Sequence, residues 1–404
     1  MSESTTSAAR QLLHQLTDPL PKYLSQAADL RHEIHQHPDL SGEELPTAER
    51  ILEYLPEFCM IELPQAGFGL RIGPGFGPTV AIRAELDALP VVEETGVDWA
   101  STSNVMHACG HDVHMAALWA LIQCAKDVPD LPIPMLALFQ SSEEVQPSGA
   151  ETIVKGNLLA EHNIAAIIGA HVQPRLAAGV VSTGLGVVNA ATDGFEIKVL
   201  GEPGHGAYPH VAVDPVPVLA AIIQGLQEIV TRDINPMHPS LITVGEVHAG
   251  TAGNVIPESG YLRGIIRAFD EHDRARILSN IARVAENTTL ARGAQARVTI
   301  HKGDPVLSNA DPLVKLADPL LAELGIPLAD PPFRSLGSDD FAHYSQIAPT
   351  LMTFVGTGIG AVSYTKGEIA LHHPQFLPSD HAIELVAKAL AAGYVAGAGL
   401  AGAL

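Results

Sequence analysis

The stretch VHMAALWALIQCAK, residues 113–126, decides the fold class, because it reads as a helix set between strands. Val113, Ala116, Ala117, Ala120, Leu121 and Cys124 recur at the i, i+3, i+4, i+7 spacing of a helical face. On one side of it lies TVAIRAEL (79–86), a strand candidate; on the other lie IPMLALFQ (133–140) and IAAIIGAHV (164–172), short apolar runs of the kind found in buried parallel strands. A further run, TLMTFVG (350–356), comes near the end. Strand, helix, strand in this order predicts an α/β domain with a mostly parallel, mixed sheet flanked by helices.

The middle of the chain has another rhythm. GFEIKVLG (194–201) alternates Phe195, Ile197 and Val199 with polar neighbours, as a half-exposed strand does. A helix candidate follows (DPVPVLAAIIQGLQEIV), then the strand candidates SLITVGEVHAG and GYLRGIIRAFD, a helix over roughly 272–290, and ARVTIHKG. Strand–helix–strand–strand–helix–strand is the ferredoxin-like α+β order. A second domain is therefore expected at 187–302, inserted into a first made of 1–186 and 303–404.

At 404 residues the chain is long enough for two domains and a sizeable core, and its 47% hydrophobic and 17% charged residues suit a globular protein. Its 23 basic residues against 45 acidic ones give a net charge of −22. Such a chain repels nucleic acid and anionic lipid, so neither is an expected partner. No segment approaches ~18 consecutive apolar residues, the length of a membrane span. The start, MSESTTSAARQLLHQL, lacks the basic-then-apolar order of a secretory signal. Cys59, Cys109 and Cys124 are too few for a disulfide framework, which points to a reducing cytoplasm. Cys59 and Cys124 are expected to be buried small hydrophobes. The chain ends in a small-residue tail, AAGYVAGAGLAGAL.

One segment carries unusual chemistry. MHACGHDVHMAA (106–117) packs Cys109, His111, Asp112 and His114 around a glycine. Open α/β sheets bind ligands at the carboxyl ends of their strands. Here Asp87 follows TVAIRAEL, Glu143 and Glu144 follow IPMLALFQ, IAAIIGA runs into His171, and His372 and His373 follow TLMTFVG. Each alone has a plainer reading: a lone histidine is usually structural, a Glu-Glu pair is usually solvated, and Cys-x-His is a weak signal. Placed together along one sheet edge, they favour a metal site over a histidine-rich helix start. Thiolate, imidazole and carboxylate suit zinc, and imidazole also accepts manganese, cobalt or nickel.

RHEIHQHPDLSGEE (31–44), RAELDALP, MHACGHDVH, FQSSEE, GAHVQP, GHGAYPH, GNVIP (253–257), GSDDF and LHHPQF (371–376) together give the chain a specific resemblance. It resembles the metal-dependent N-acyl-amino-acid amidohydrolases, the hippurate-hydrolase and auxin-conjugate-hydrolase branch of the aminoacylase/carboxypeptidase metallopeptidases. The resemblance implies a catalytic α/β domain carrying an inserted ferredoxin-like lid that also forms a homodimer. It implies two divalent metal ions per chain, held by Cys109 as a bridging thiolate, His111, Glu144, His171 and His372. Glu143 would be the general base, and His205 would reach the partner's active site to stabilise the oxyanion. Asn254 and Arg267 would hold the carboxylate and polar atoms of a small N-acyl amino acid, and Asp87 would orient a ligand. His114 and His210 stay outside the ligand set, as orienting or structural residues.

The chain departs from the family pattern in three places. FQSSEE replaces FQPAEE, Asp339 shortens the usual GSEDF by one methylene, and LHHPQF carries an extra histidine, His373. No ligand or base is missing, so an active amidohydrolase is expected. Two other readings stand beside it: a dipeptidase or aminopeptidase of the same chemistry, and a non-catalytic metal-dependent binding protein. Glu143 speaks against the latter, since binding alone needs no base beside the ligands.

Overall fold

The computed structural model describes residues 3–358 and 368–404. The chain opens with α1 (Glu3–Thr17), α2 (Leu20–Gln36), α3 (Leu45–Glu53), β1 (Met60–Glu62), β2 (Phe68–Ile72) and β3 (Thr79–Glu85). Then come α4 (His111–Lys126), β4 (Met135–Gln140), α5 (Gly149–Lys155), β5 (Ile164–Ala177) and β6 (Val181–Ser182). After β7 (Gly186–Asn189) follow β8 (Ala191–Leu200), β9 (Gly204–His205), α6 (Pro215–Glu228), β10 (Ser240–Ala249), β11 (Val255–Ile256), β12 (Ser259–Ala268), α7 (Glu271–Leu290) and β13 (Gln295–Lys302). The chain ends with β14 (Leu307–Asn309), α8 (Asp311–Glu323), β15 (Thr350–Gly358) and α9 (His381–Leu400).

These elements fall into two compact units. The first comprises the chain up to Gly186, Ser308–Arg334 and His343–Leu404. Its seven-stranded sheet has the order β1-β2-β4-β3-β5-β15-β6. The central pairs, β4 with β3, β3 with β5 and β5 with β15, are parallel; the pairs at the two edges are antiparallel. Every residue of β3 and β4 is buried, which is why these strands read as unbroken apolar runs. Parallel pairing brings the residues that follow β3, β4 and β5 to one edge of the sheet, and the crossover helix α4 starts at that edge.

Helix α4 differs from a one-sided amphipathic helix: every residue from His111 to Ala125 is buried. It packs on β3 and β5 and is covered by α2 and α9, so no face meets water. The small-residue tail proves to be mostly the second half of α9. That helix is long and apolar enough by composition to cross a membrane, but most of it is buried in this core. Its glycines permit the approach: a Cβ on Gly393 would lie 2.4 Å from Cγ2 of Ile168, and one on Gly397 would lie 2.6 Å from Cγ2 of Val80.

The second unit comprises Val187–Leu307 and Ser335–Ala342. Its elements run β8–α6–β10–β12–α7–β13, and its antiparallel sheet has the order β10-β12-β8-β13. Phe195, Ile197 and Val199 of β8 point into a core with Leu219 and Ile222 of α6 and Ile277 and Ile281 of α7. The alternation read in GFEIKVLG is the two faces of this strand. The unit reaches past residue 302 and takes in 335–342, unlike the boundaries expected from sequence. The carbonyl of Asp304 accepts the N–H of Thr192, and Ser335 exchanges backbone hydrogen bonds with Val188 and Ala190. Hydrogen bonds made by segments without strand periodicity leave no trace in the pattern.

Candidate metal centre

The site begins at a glycine. Gly110, between Cys109 and His111, caps the N-terminus of α4 at φ 86°. A side chain there would be strained, and its Cβ would lie 2.4 Å from Cγ2 of Val172. The turn puts the Cys109 and His111 side chains beside His171, which lies midway along β5, just past the point where its pairing with β3 ends. The Cys109 Sγ lies 3.5 Å from Nε2 of His171, and the donor atoms of Cys109, His111 and His171 lie within 4.8 Å of one another.

Both histidines are presented in the same way. His111 donates Nδ1–H to the carbonyl of Asp87 at 2.8 Å, and His171 donates Nδ1–H to the carbonyl of Val172 at 2.7 Å. Each ring therefore turns Nε2 toward the site, where Nε2 of His171 meets the Cys109 thiol. Nε2 of His111 is buried without a hydrogen-bond partner among the described residues, as is Oε1 of Glu144. Buried polar atoms left unsatisfied are costly, and an ion that completes them removes that cost.

The glutamates arrive on the loop after β4. Ser142, at φ 55°, gives its N–H and its hydroxyl to the Glu44 carboxylate, at 2.7 and 3.2 Å. The two serines that stand where the family pattern has proline and a small residue thus include one that anchors this loop. The Glu144 N–H donates to Oδ2 of Asp87 at 2.9 Å. Donor atoms of His111, Glu143 and Glu144 lie within 4.8 Å of one another, and the same holds for Cys109, Glu144 and His372. His372 comes in on its own loop at φ 67°, its N–H bonded to the carbonyl of Ala108 at 2.8 Å, its Nε2 3.4 Å from Oε1 of Glu144. His373 turns away, its Nδ1 accepting the N–H of Gln375.

Asp87 supports the site through more atoms than expected. Its carbonyl orients His111, while its carboxylate holds the Glu144 backbone and the Ser41 hydroxyl. Sequence reasoning missed Glu44 and Glu85. The signal for Glu85 was available: Arg83 and Glu85 stand two apart, on one face of a strand otherwise built for burial.

The electrostatics call for a cation. Burial opposes a charge on His111, but Glu85 and Asp87 outweigh it and push its imidazole up to about 10. Burial, reinforced by Glu144 and Glu143, pushes the Cys109 thiol well up. Burial holds His171 neutral, with its pKa lowered to about 3. A divalent cation among these groups would reverse the first two effects: imidazole and thiol would both give up protons to become ligands. The residues present thus fit such a cation in donor type, spacing and charge. Cys124 is buried as expected, whereas Cys59 is exposed: it follows a short turn after α3 and meets solvent.

The remaining expected residues belong to the second unit. His205 ends β9, which pairs with β11, and is exposed. Its Nδ1 accepts the N–H of Ala207 at 3.0 Å, which puts the proton on Nε2 as an outward donor. Asn254 is exposed, and its carbonyl takes the N–H of Gly206. Arg267, on β12, has Nη1 buried without a hydrogen-bond partner among the described residues.

The chain is similar to several known proteins. The chain is 34% identical over 364 residues to an N-acetyl-L-cysteine deacetylase of Bacillus subtilis, covering 89% of this chain and 85% of the relative. It is 36% identical over 270 residues to an N-acyl-L-amino acid amidohydrolase of Geobacillus stearothermophilus, covering 65% and 72%. Among solved structures, a dinuclear metal-binding peptidase of family M20 from Bacillus subtilis superposes with a TM-score of 0.79 at 29% identity, covering 93% of this chain and 98% of that one. The sequence pattern of peptidase family M20/M25/M40 matches residues 81–392, and the chain belongs to that family, as a metal-dependent amidohydrolase.

Proposed function

We propose that this protein hydrolyses the amide bond of N-acyl amino acids or short acylated peptides, as a homodimer, with zinc as its metal, in the manner of the hippurate and auxin-conjugate hydrolases. The observation that carries this reading is the clustered donor set at the sheet edge, in which Nε2 of His111 and Oε1 of Glu144 have no hydrogen-bond partner among the described residues, with Glu143 beside them. Cys109, His111, Glu144, His171 and His372 would hold the ions, with Cys109 shared between them. Bound there, divalent cations supply Lewis acidity that polarises a carbonyl and lowers the pKa of water.

Glu143 takes the proton of the attacking water as its oxygen bonds to the acyl carbon. It then delivers that proton to the amine nitrogen as the C–N bond breaks. His205, with Nε2–H outward, donates to the tetrahedral oxyanion in the partner subunit's site. Arg267 grips the substrate carboxylate in a bidentate manner, and Asn254 holds its polar atoms. Dimerisation through the second unit is supported by β10, which lies at the edge of its sheet with Val247 exposed.

The test is amine release from N-acetyl amino acids, from longer N-acyl homologues and from unacylated dipeptides, each with chelator-treated and metal-reloaded protein. Metal-dependent release from the acylated substrates alone is expected. Cleavage confined to the dipeptides would make the protein a dipeptidase, and metal uptake with no cleavage of either would make it a binding protein.

A further inference from the structure

Behind the ligands lies a buried chain of hydrogen-bonded groups. Arg83 donates through Nη1 to Oε1 of Glu85, and through Nε to Oε1 of Gln140 at 3.1 Å. Oε2 of Glu85 takes the Nδ1–H of His114 at 2.9 Å. Nε2 of His114 in turn accepts the backbone N–H of Val172 at 3.0 Å. Val172 is also the residue whose carbonyl orients His171. The pairing of β3 with β5 ends at Gly169, so the ladder no longer serves this N–H, and the imidazole replaces the missing strand.

Glu85, His111 and His114 lie close enough to suggest a ligand group of their own. The hydrogen bonds decide otherwise. A ring that accepts at Nε2 and donates at Nδ1 is neutral and has no lone pair left. His114 and His111 are neighbours on the first turn of α4, yet of the two only His111 has an Nε2 without a hydrogen-bond partner among the described residues.

We infer that His114, held by Glu85 and Arg83, is a positioning residue that fixes the Val172 peptide and through it the ligand His171, and is not itself a metal ligand. The inference rests on the metal reading of the site above. Groups that orient ligands from behind typically contribute ~10–100-fold in metal affinity.

Two measurements test it. In the wild-type protein labelled with ¹⁵N-histidine, titration with Zn²⁺ should shift the Nε2 resonances of His111 and His171 and leave His114 as the Nδ1–H tautomer. If none of the three responds, the metal reading fails. If His114 shifts with the other two, this inference fails and the metal reading stands. The second measurement is zinc affinity, by chelator competition, for His114→Gln and His114→Asn. Glutamine can place an acceptor near the Nε2 position facing Val172, whereas asparagine keeps only the link to Glu85. His114→Asn should lose ~10–100-fold in affinity and His114→Gln clearly less, with the metal-free melting temperatures close to each other. Equal affinities in both variants and wild type would leave His114 a packing residue and overturn the inference. Should a variant fail to fold, the wild-type titration decides alone.

Discussion

Two polar clusters, buried where they meet the helix, flank the first turn of α4 and are built from nearly the same residue types. In one, Oδ2 of Asp112 takes Nε–H of Arg31 at 2.9 Å and faces Nδ1 of His35 at 3.0 Å, while Nε2 of His35 faces Glu93 at 3.1 Å. Arg31 also bonds Asp380 at 2.6 Å and lies over the Trp99 ring. In the other are Cys109, His111, Glu144, His171 and His372. The first cluster contains its own cation, the guanidinium of Arg31. In the second, Arg83 is committed to Glu85, and the remaining carboxylates face imidazoles and a thiol. A set of imidazoles and carboxylates becomes a salt-bridge cluster or a metal centre according to whether a side chain supplies the positive charge. Asp112 and His111 are consecutive, and the helix turns them toward opposite clusters.

The largest effect expected from disturbing this contrast is on chemistry. Glu143→Gln should keep its metals and lose ~10²–10⁴-fold in kcat, because an amide fills the space without accepting a proton. A variant with more than about a tenth of wild-type turnover would remove Glu143 from the role of base.

The internal cation should matter for stability instead. Arg31→Met leaves Asp112 buried without its arginine, and urea unfolding should show a loss of about 3–5 kcal/mol. Metal bound per folded chain should stay at the wild-type value. If metal is lost while stability holds, the two clusters act as one.

Cys109→Ser should do the reverse. Serine is nearly isosteric, but its hydroxyl does not ionise near neutral pH, so the dialysed variant should hold fewer metals per chain while its stability changes by under about 1 kcal/mol. Excess metal should restore part of its activity. Full metal content would exclude a thiolate bridge.

The smallest effect is a pH slope. Burial disfavours a charge on His35, but Asp112 and Glu93 outweigh it and raise its pKa to about 9. The unfolded value is about 6.5, so this stabilisation is complete below pH 6.5 and is lost as pH rises through about 9. A rise from 6.5 to about 9 corresponds to about 3 kcal/mol. Comparing unfolding free energies at pH 6 and pH 9.5, His35→Gln should lose less on going to high pH than wild type does. Equal losses would show that His35 is not charged in the folded protein.

Much of this was legible in the sequence. Apolar runs at strand length around a helical period gave away the α/β unit, because burial on both faces leaves a local signature in TVAIRAEL and IPMLALFQ. The alternation in GFEIKVLG did the same for the second unit. Donor types placed after successive strands pointed to the sheet edge, since parallel topology makes chain order into spatial proximity.

What tertiary structure alone decided is which nitrogen of which histidine is spent. His111, His114 and His35 are indistinguishable by residue type, and each lies in or near a motif. His114 is closed to a ligand by the N–H of Val172, 58 positions away, and His35 by Asp112, 77 positions away. His111 is left open because its only hydrogen-bond partner among the described residues is a carbonyl on its Nδ1 side. Such facts depend on hydrogen-bond partners distant in sequence, and no local pattern encodes them.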